Sequence, residues 1–219
     1  MYICNPFLDL PELKNLRGII FDCDGVLFDS KEVNIRFYNQ FKSLLDLPPM
    51  TEAEEEFVHM HTVQESLQHI LPPELHSRIP EVRSRISYKD LVSYMRPAEG
   101  LFECLYFLCS RDIRRSVNTN RTNTMEMVLD YFSLSGFFSP VVTAAHVSWS
   151  KPHPESLHLI LRHWRMKREE VVFIGDSQVD QSTAEAAGVN FWSFANPYLR
   201  GRMYIPDFLT LREFLGNNL

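Results

Sequence analysis

The chain has 219 residues, 45% of them hydrophobic, and a formal net charge of −6 from 22 basic and 28 acidic side chains. That length and apolar content support a sizeable core and exclude a disordered chain, while the acidic balance with dispersed basic residues argues against a nucleic-acid partner. No apolar run approaches a membrane span, and no basic region with a long apolar stretch follows Met1. A soluble cytoplasmic protein without a membrane partner is therefore expected, and Cys4, Cys23, Cys104 and Cys109, which form neither a C-x-x-C nor a zinc pattern, read as free thiols.

The first predicted element is Gly18-Ile19-Ile20-Phe21, a short apolar run of the kind buried on both faces of a parallel sheet. It runs into Asp22-Cys23-Asp24-Gly25-Val26. On extended backbone, period two places Asp22 and Asp24 on one side and Cys23 on the other, and Gly25 lets the chain turn at once. Two carboxylates held that close need either a shared proton or a hard cation such as Mg2+.

From Lys31 to about Tyr94 apolar positions recur at helical spacing. Helices are expected over residues 33–45, 52–59, 64–71 and 82–95, punctuated by Pro48-Pro49 and Pro72-Pro73. Ser30-Lys31 and Arg96-Pro97 read as the hinges of this helical insert. Beyond Pro97 helix and strand alternate, which argues for an α/β sheet flanked by helices. Helices are expected at 99–109, 124–132, 155–164 and 182–187, the last ended by Gly188. Strands are expected at 113–118, 140–143, 171–174 and 189–194, the last closing the set. Ligands of such sheets bind outside the carboxyl ends of the strands, which is where Asp22, Thr119 and Asp176 should lie.

Four segments stand in order: Asp22-Cys23-Asp24-Gly25-Val26, Thr119-Asn120, Lys151-Pro152-His153-Pro154-Glu155 and Gly175-Asp176-Ser177-Gln178-Val179-Asp180. Together they resemble the haloacid dehalogenase superfamily, more narrowly its phosphoglycolate-phosphatase-like and β-phosphoglucomutase-like members. The resemblance implies a Rossmann-like core from residues 1–30 and 95–219, with residues 31–94 inserted as a small all-α cap. It also implies a Mg2+-dependent phosphatase that acts on a small phosphorylated metabolite through an aspartyl-phosphate. Asp22 is then the nucleophile, a carboxylate already anionic at neutral pH. Asp24 protonates the leaving group and later deprotonates water. Asp22, Asp176 and the Asp24 backbone carbonyl hold Mg2+, Asp180 supports the metal site, and Thr119, Asn120 and Lys151 cradle the phosphate.

Some features depart from the pattern. Val26 stands where Thr is common, and Trp149-Ser150 precede Lys151 where Gly is frequent, so Trp149 is read either as crowding or lining the entrance or as a partly buried surface aromatic. Arg114, Arg115, Ser116 and Asn118 are polar for a buried strand. The histidines His59, His61, His69 and His76 lack the spacing and partners of a zinc site. Lys31, Asn34, Arg78, Arg83, Arg85 and Arg121 are candidates for substrate contact. A phosphomutase shares every core residue and stays open. Asp24 argues against a haloalkanoate dehalogenase and against phosphonate cleavage, and the position of the Asp pair at the first strand argues against a response-regulator phospho-acceptor. A non-catalytic binding protein on the same fold is the remaining alternative.

Overall fold

The computed structural model describes the backbone of residues 1–219 and every side chain except those at 11, 12, 59 and 60, so His59 lies outside the described side chains. Nine strands form: β1 Tyr2–Ile3, β2 Gly18–Phe21, β3 Phe28–Asp29, β4 Arg96–Pro97, β5 Arg114–Thr119, β6 Val141–Thr143, β7 Val171–Gly175, β8 Asn190–Phe194 and β9 Met203–Ile205. Seven of them make one parallel sheet in the order β1-β9-β8-β7-β2-β5-β6, while β3 and β4 pair antiparallel as a separate ribbon. The helices are α1 Lys31–Ser43, α2 Glu52–Met60, α3 Val63–Ile70, α4 Ile79–Ser84, α5 Tyr88–Leu91, α6 Leu101–Ser110, α7 Met125–Tyr131, α8 Glu155–Trp164, α9 Gln178–Ala187 and α10 Phe208–Asn218. None is long and apolar enough to cross a membrane.

Period-two alternation explains why the central strands are apolar without interruption. Ile20, Val171 and Phe173 pack with Leu157, Ile160 and Trp164 of α8 and Ala184 and Ala187 of α9. Their neighbours Ile19, Phe21, Val172 and Ile174 point the other way, into a cluster with α6, α7 and α10. Each large side chain buried this way contributes about 1.5–3 kcal/mol. The polar strand β5 fits because its register puts Arg114 opposite Gly18 at the sheet's entering edge, where the side chain is exposed. The Arg115 guanidinium donates to the Phe137 carbonyl, and the Ser116 hydroxyl to the Pro140 carbonyl at 2.6 Å.

Four expectations are corrected. The helix expected over 82–95 is two, α4 and α5, joined through an extended Ser87. At about 100° per residue Val82 and Ile86 would lie on the opposite side of one helix from Leu91, Val92 and Met95, yet all five are buried, and a break satisfies both sets. The strand at 190–194 does not close the set, because β9 and then β1 lie beyond it and α10 follows. Helix α6 begins at Leu101, since Gly100 caps it at φ 75°. Helix α9 begins at Gln178, four residues early, because Ser177 and Asp180 form a reciprocal capping box.

Candidate active site

All parallel strands of the sheet end on the same edge, and three of them deliver the acidic and hydroxyl groups there. The Asp22 N–H still donates to the Ile174 carbonyl of β7, at 2.9 Å, so Asp22 is the last residue held by the ladder. The chain then folds back through Gly25 N–H to Phe28 O at 2.8 Å and Phe28 N–H to Cys23 O at 3.0 Å. Gly25 sits at φ 77°, and a Cβ there would stand 1.9 Å from an Asp176 carboxylate oxygen. Glycine is required by both the turn and the approach of the two acidic loops. Asp22 and Asp24 line one cavity while Cys23 is buried away from it, as alternation along extended backbone predicts.

Lys151 links the acids. Its ammonium donates to Asp22 Oδ1 at 2.8 Å and to Asp180 Oδ1 at 2.6 Å. Asp180, fully buried, accepts at Oδ2 from the Ser177 N–H and hydroxyl, so the α9 cap also aims its carboxylate. Asn120 joins the Lys151 loop to β5: its amide accepts from the Lys151 N–H at 3.1 Å and donates to the Lys151 carbonyl at 3.2 Å. That side chain positions the lysine, while the Thr119 hydroxyl accepts from the Arg121 N–H at 3.2 Å. Asn196 steadies the fourth segment by donating to the Asp176 carbonyl at 2.8 Å.

The electrostatics are those of crowded acids. Burial, then the Asp180 charge, push the Asp22 carboxyl up to about 7 against the pull of Lys151. Asp176 is pushed well up by burial and by Asp180 and Asp22. Burial works against the Lys151 ammonium, yet Asp180 and Asp22 hold it above the ordinary lysine range. Carboxylate oxygens of Asp22, Asp176 and Asp180 lie within 4.8 Å of one another. Three clustered carboxylates, only two of them paired with an ammonium, are a donor set that fits a hard divalent cation.

Asp24 stands apart from this set, against Arg121. The guanidinium donates from Nε to Asp24 Oδ2 at 2.8 Å and from Nη2 to Asp24 Oδ1 at 2.6 Å, and the Ser30 hydroxyl also donates to Oδ1. Burial alone would raise Asp24, but Arg121 and Ser30 outweigh it and hold the carboxyl below its ordinary range. Arg121 Nη1 donates to the Tyr88 hydroxyl and, at 3.2 Å, to Thr124.

The cavity over these groups measures about 700 Å3, and residues of the helical stretch 31–94 line it through Lys31, Asn34, His61, Arg83 and Tyr88. Of the substrate-contact candidates, Lys31, Asn34, Arg83 and Arg121 line it, whereas Arg78 and Arg85 do not. Phe57 is stacked between His61 and His69 at 3.8 Å from each. Trp149 is 67% exposed, lies near His153 and does not line the cavity, so it is a surface aromatic, more open than the partly buried one expected. Arg121 stands among the six substrate-contact candidates without a defined role, Ser30 reads in the sequence only as a hinge residue, and Tyr88 only as part of a helix. The signal available for Arg121 was its place two residues after Thr119, and nothing local marks Tyr88.

A family model described as haloacid dehalogenase-like hydrolase matches residues 19–194. A solved haloacid dehalogenase superfamily hydrolase of subfamily IA from Geobacter sulfurreducens is 35% identical, covers 92% of this chain and 96% of its own, and superposes with a TM-score of 0.76. Among curated relatives, the phosphoglycolate phosphatase of Salmonella choleraesuis is 28% identical over 82% of this chain and 81% of its own length. The pyrophosphatase PpaX of Oceanobacillus iheyensis is 24% identical over 89% and 92%.

Proposed function

We propose, from the premise that the chain belongs to the haloacid dehalogenase-like hydrolase family, that it is a Mg2+-dependent phosphatase hydrolysing a small phosphorylated metabolite through an aspartyl-phosphate. The observation that carries this reading is the Lys151 ammonium joining Asp22 and Asp180 beside Asp176 at the strand ends. The phosphatase relatives support it.

In this reading Asp22 attacks the phosphorus and the ester P–O bond breaks. Asp24, ionised in its pair with Arg121, first takes up a proton from water and then passes it to the departing oxygen. Asp24 then accepts a proton from the water that attacks the aspartyl-phosphate, which frees Asp22 and inorganic phosphate. Lys151 offsets charge on the nucleophile and the phosphoryl oxygens, while the Thr119 hydroxyl and the N–H groups of its loop hydrogen-bond those oxygens. Mg2+, held by Asp22, Asp176 and the Asp24 carbonyl and supported by Asp180, would offset the repulsion between carboxylate and phosphate. Asn120 acts by holding the Lys151 loop. Residues 31–94 form a cap over a core of residues 1–30 and 95–219, with the β3–β4 ribbon as the paired hinge, and the cap excludes water during transfer. Four free cysteines fit a cytoplasmic enzyme.

The test is a Mg2+ assay across phosphorylated metabolites, with glucose 6-phosphate formation from β-glucose 1-phosphate followed in parallel. Turnover should vanish in EDTA and in Asp22→Asn, whose circular dichroism should match the parent. Full activity of Asp22→Asn would overturn the mechanism, and net isomerisation of the sugar phosphate would replace the phosphatase with a mutase.

A further inference from the structure

Both oxygens of Asp24 are held by the Arg121 fork, and Oδ1 also carries the Ser30 hydroxyl. A carboxylate held in this way engages both oxygens with a cation and stays ionised, so it has no proton to give a leaving group. To serve as acid and base in the reaction proposed above, it must give up at least one contact with the guanidinium.

That release has a physical cost. Arg121 is only 8% exposed, and its other bonds, to Tyr88 and Thr124, are to neutral hydroxyls. Removing the one partner of a buried charge is strongly unfavourable unless another anion replaces it. Asp24 itself indicates what can: a carboxylate presented edge-on, which a guanidinium fork binds bidentately and a lysine ammonium does not. The same cavity is also lined by the cations Lys31, Arg83 and Lys151.

We propose that Arg121 is the specificity-determining residue of this enzyme: its guanidinium exchanges the Asp24 carboxylate for a carboxylate of the substrate, so that a phosphate monoester bearing a carboxyl group frees Asp24 to act. The inference rests on the phosphatase reading and on Asp24 as its acid. Tyr88, reaching down from α5 of the insert, keeps the fork in place through the exchange.

The experiment uses two probes that differ by one carboxylate, 2-phosphoglycolate and ethyl phosphate, with the wild type, Arg121→Lys and Arg121→Met. The ratio of kcat/KM values within one preparation is independent of the folded fraction, and the intrinsic difference between the two leaving groups is common to all three proteins. The wild type should prefer 2-phosphoglycolate, and Arg121→Met should lose about ten- to a hundredfold of that preference, the size of a charged hydrogen-bonding contact. Arg121→Lys should lie between, keeping the charge but not the fork. A ratio in Arg121→Met within threefold of wild type overturns the inference. Calorimetric binding of phosphonoacetate and ethylphosphonate reads the same residue without turnover. An Arg121-dependent preference for phosphonoacetate in an enzyme that hydrolyses no phosphate ester counts against the phosphatase reading alone, and equal binding of the two phosphonates counts against Arg121.

Discussion

Asp22 carries an opposition between charge and burial that a pH measurement can read. Its carboxyl is raised from 3.8 to about 7 in the folded protein, by burial first and Asp180 second. A carboxyl raised on folding binds more protons folded than unfolded, so its contribution to stability is complete below pH 4 and is lost as pH climbs through about 7. Asp176 is raised as well and acts in the same sense. A divalent cation binds the ionised carboxylates, so it should restore stability where they are charged. The Mg2+-induced rise in melting temperature, measured against EDTA, is therefore expected to be larger at pH 8 than at pH 5. Equal increments at the two pH values would show that these carboxylates do not bind the ion.

Helix α9 joins stability to chemistry at the level of an element. Its capping box uses Ser177 as N-cap and Asp180 as the third residue, and the same Asp180 accepts from Lys151 at 2.6 Å. Removing the Ser177 hydroxyl should cost about 1 kcal/mol through the cap. It should also lower kcat, because Asp180 Oδ2 loses a donor and the aim of Oδ1 at Lys151 loosens. Ser177→Ala with an unchanged melting temperature would refute the first, and an unchanged kcat the second. The sequence signal for this cap, a Ser three residues before an Asp, was present in Gly175-Asp176-Ser177-Gln178-Val179-Asp180 but was absorbed into the acidic motif, which set the predicted helix four residues late. The split of α4 from α5 was less legible, because each half has sound helical periodicity and only their relative phase betrays the break.

Across the whole molecule, residues 31–94 and the sheet share one hydrophobic cluster. Val33, Phe37 and Phe41 of α1 belong to the same buried group as Leu27, Phe28 and Val117. Chemical denaturation should therefore be a single transition, with far-ultraviolet and near-ultraviolet circular dichroism superimposing, and separated midpoints would mean that residues 31–94 unfold alone. The sequence by itself determined the parallel α/β class, because unbroken apolar runs alternating with amphipathic helices have few other ways to bury both faces. It also placed Asp22, Thr119, Lys151 and Asp176 at strand ends or junctions, since the turn chemistry that ends a strand is local. It did not reveal the short strands β1 and β9 at one side of the sheet, too short to carry a period, nor the pairing of Asp24 with Arg121 and of Arg121 with Tyr88. Those contacts span 97 and 33 residues. Partners that far apart leave no mark in local spacing: the pairing of β2 with β5 brings Asp24 to Arg121, and the packing of residues 31–94 over the strand ends brings Tyr88 to Arg121.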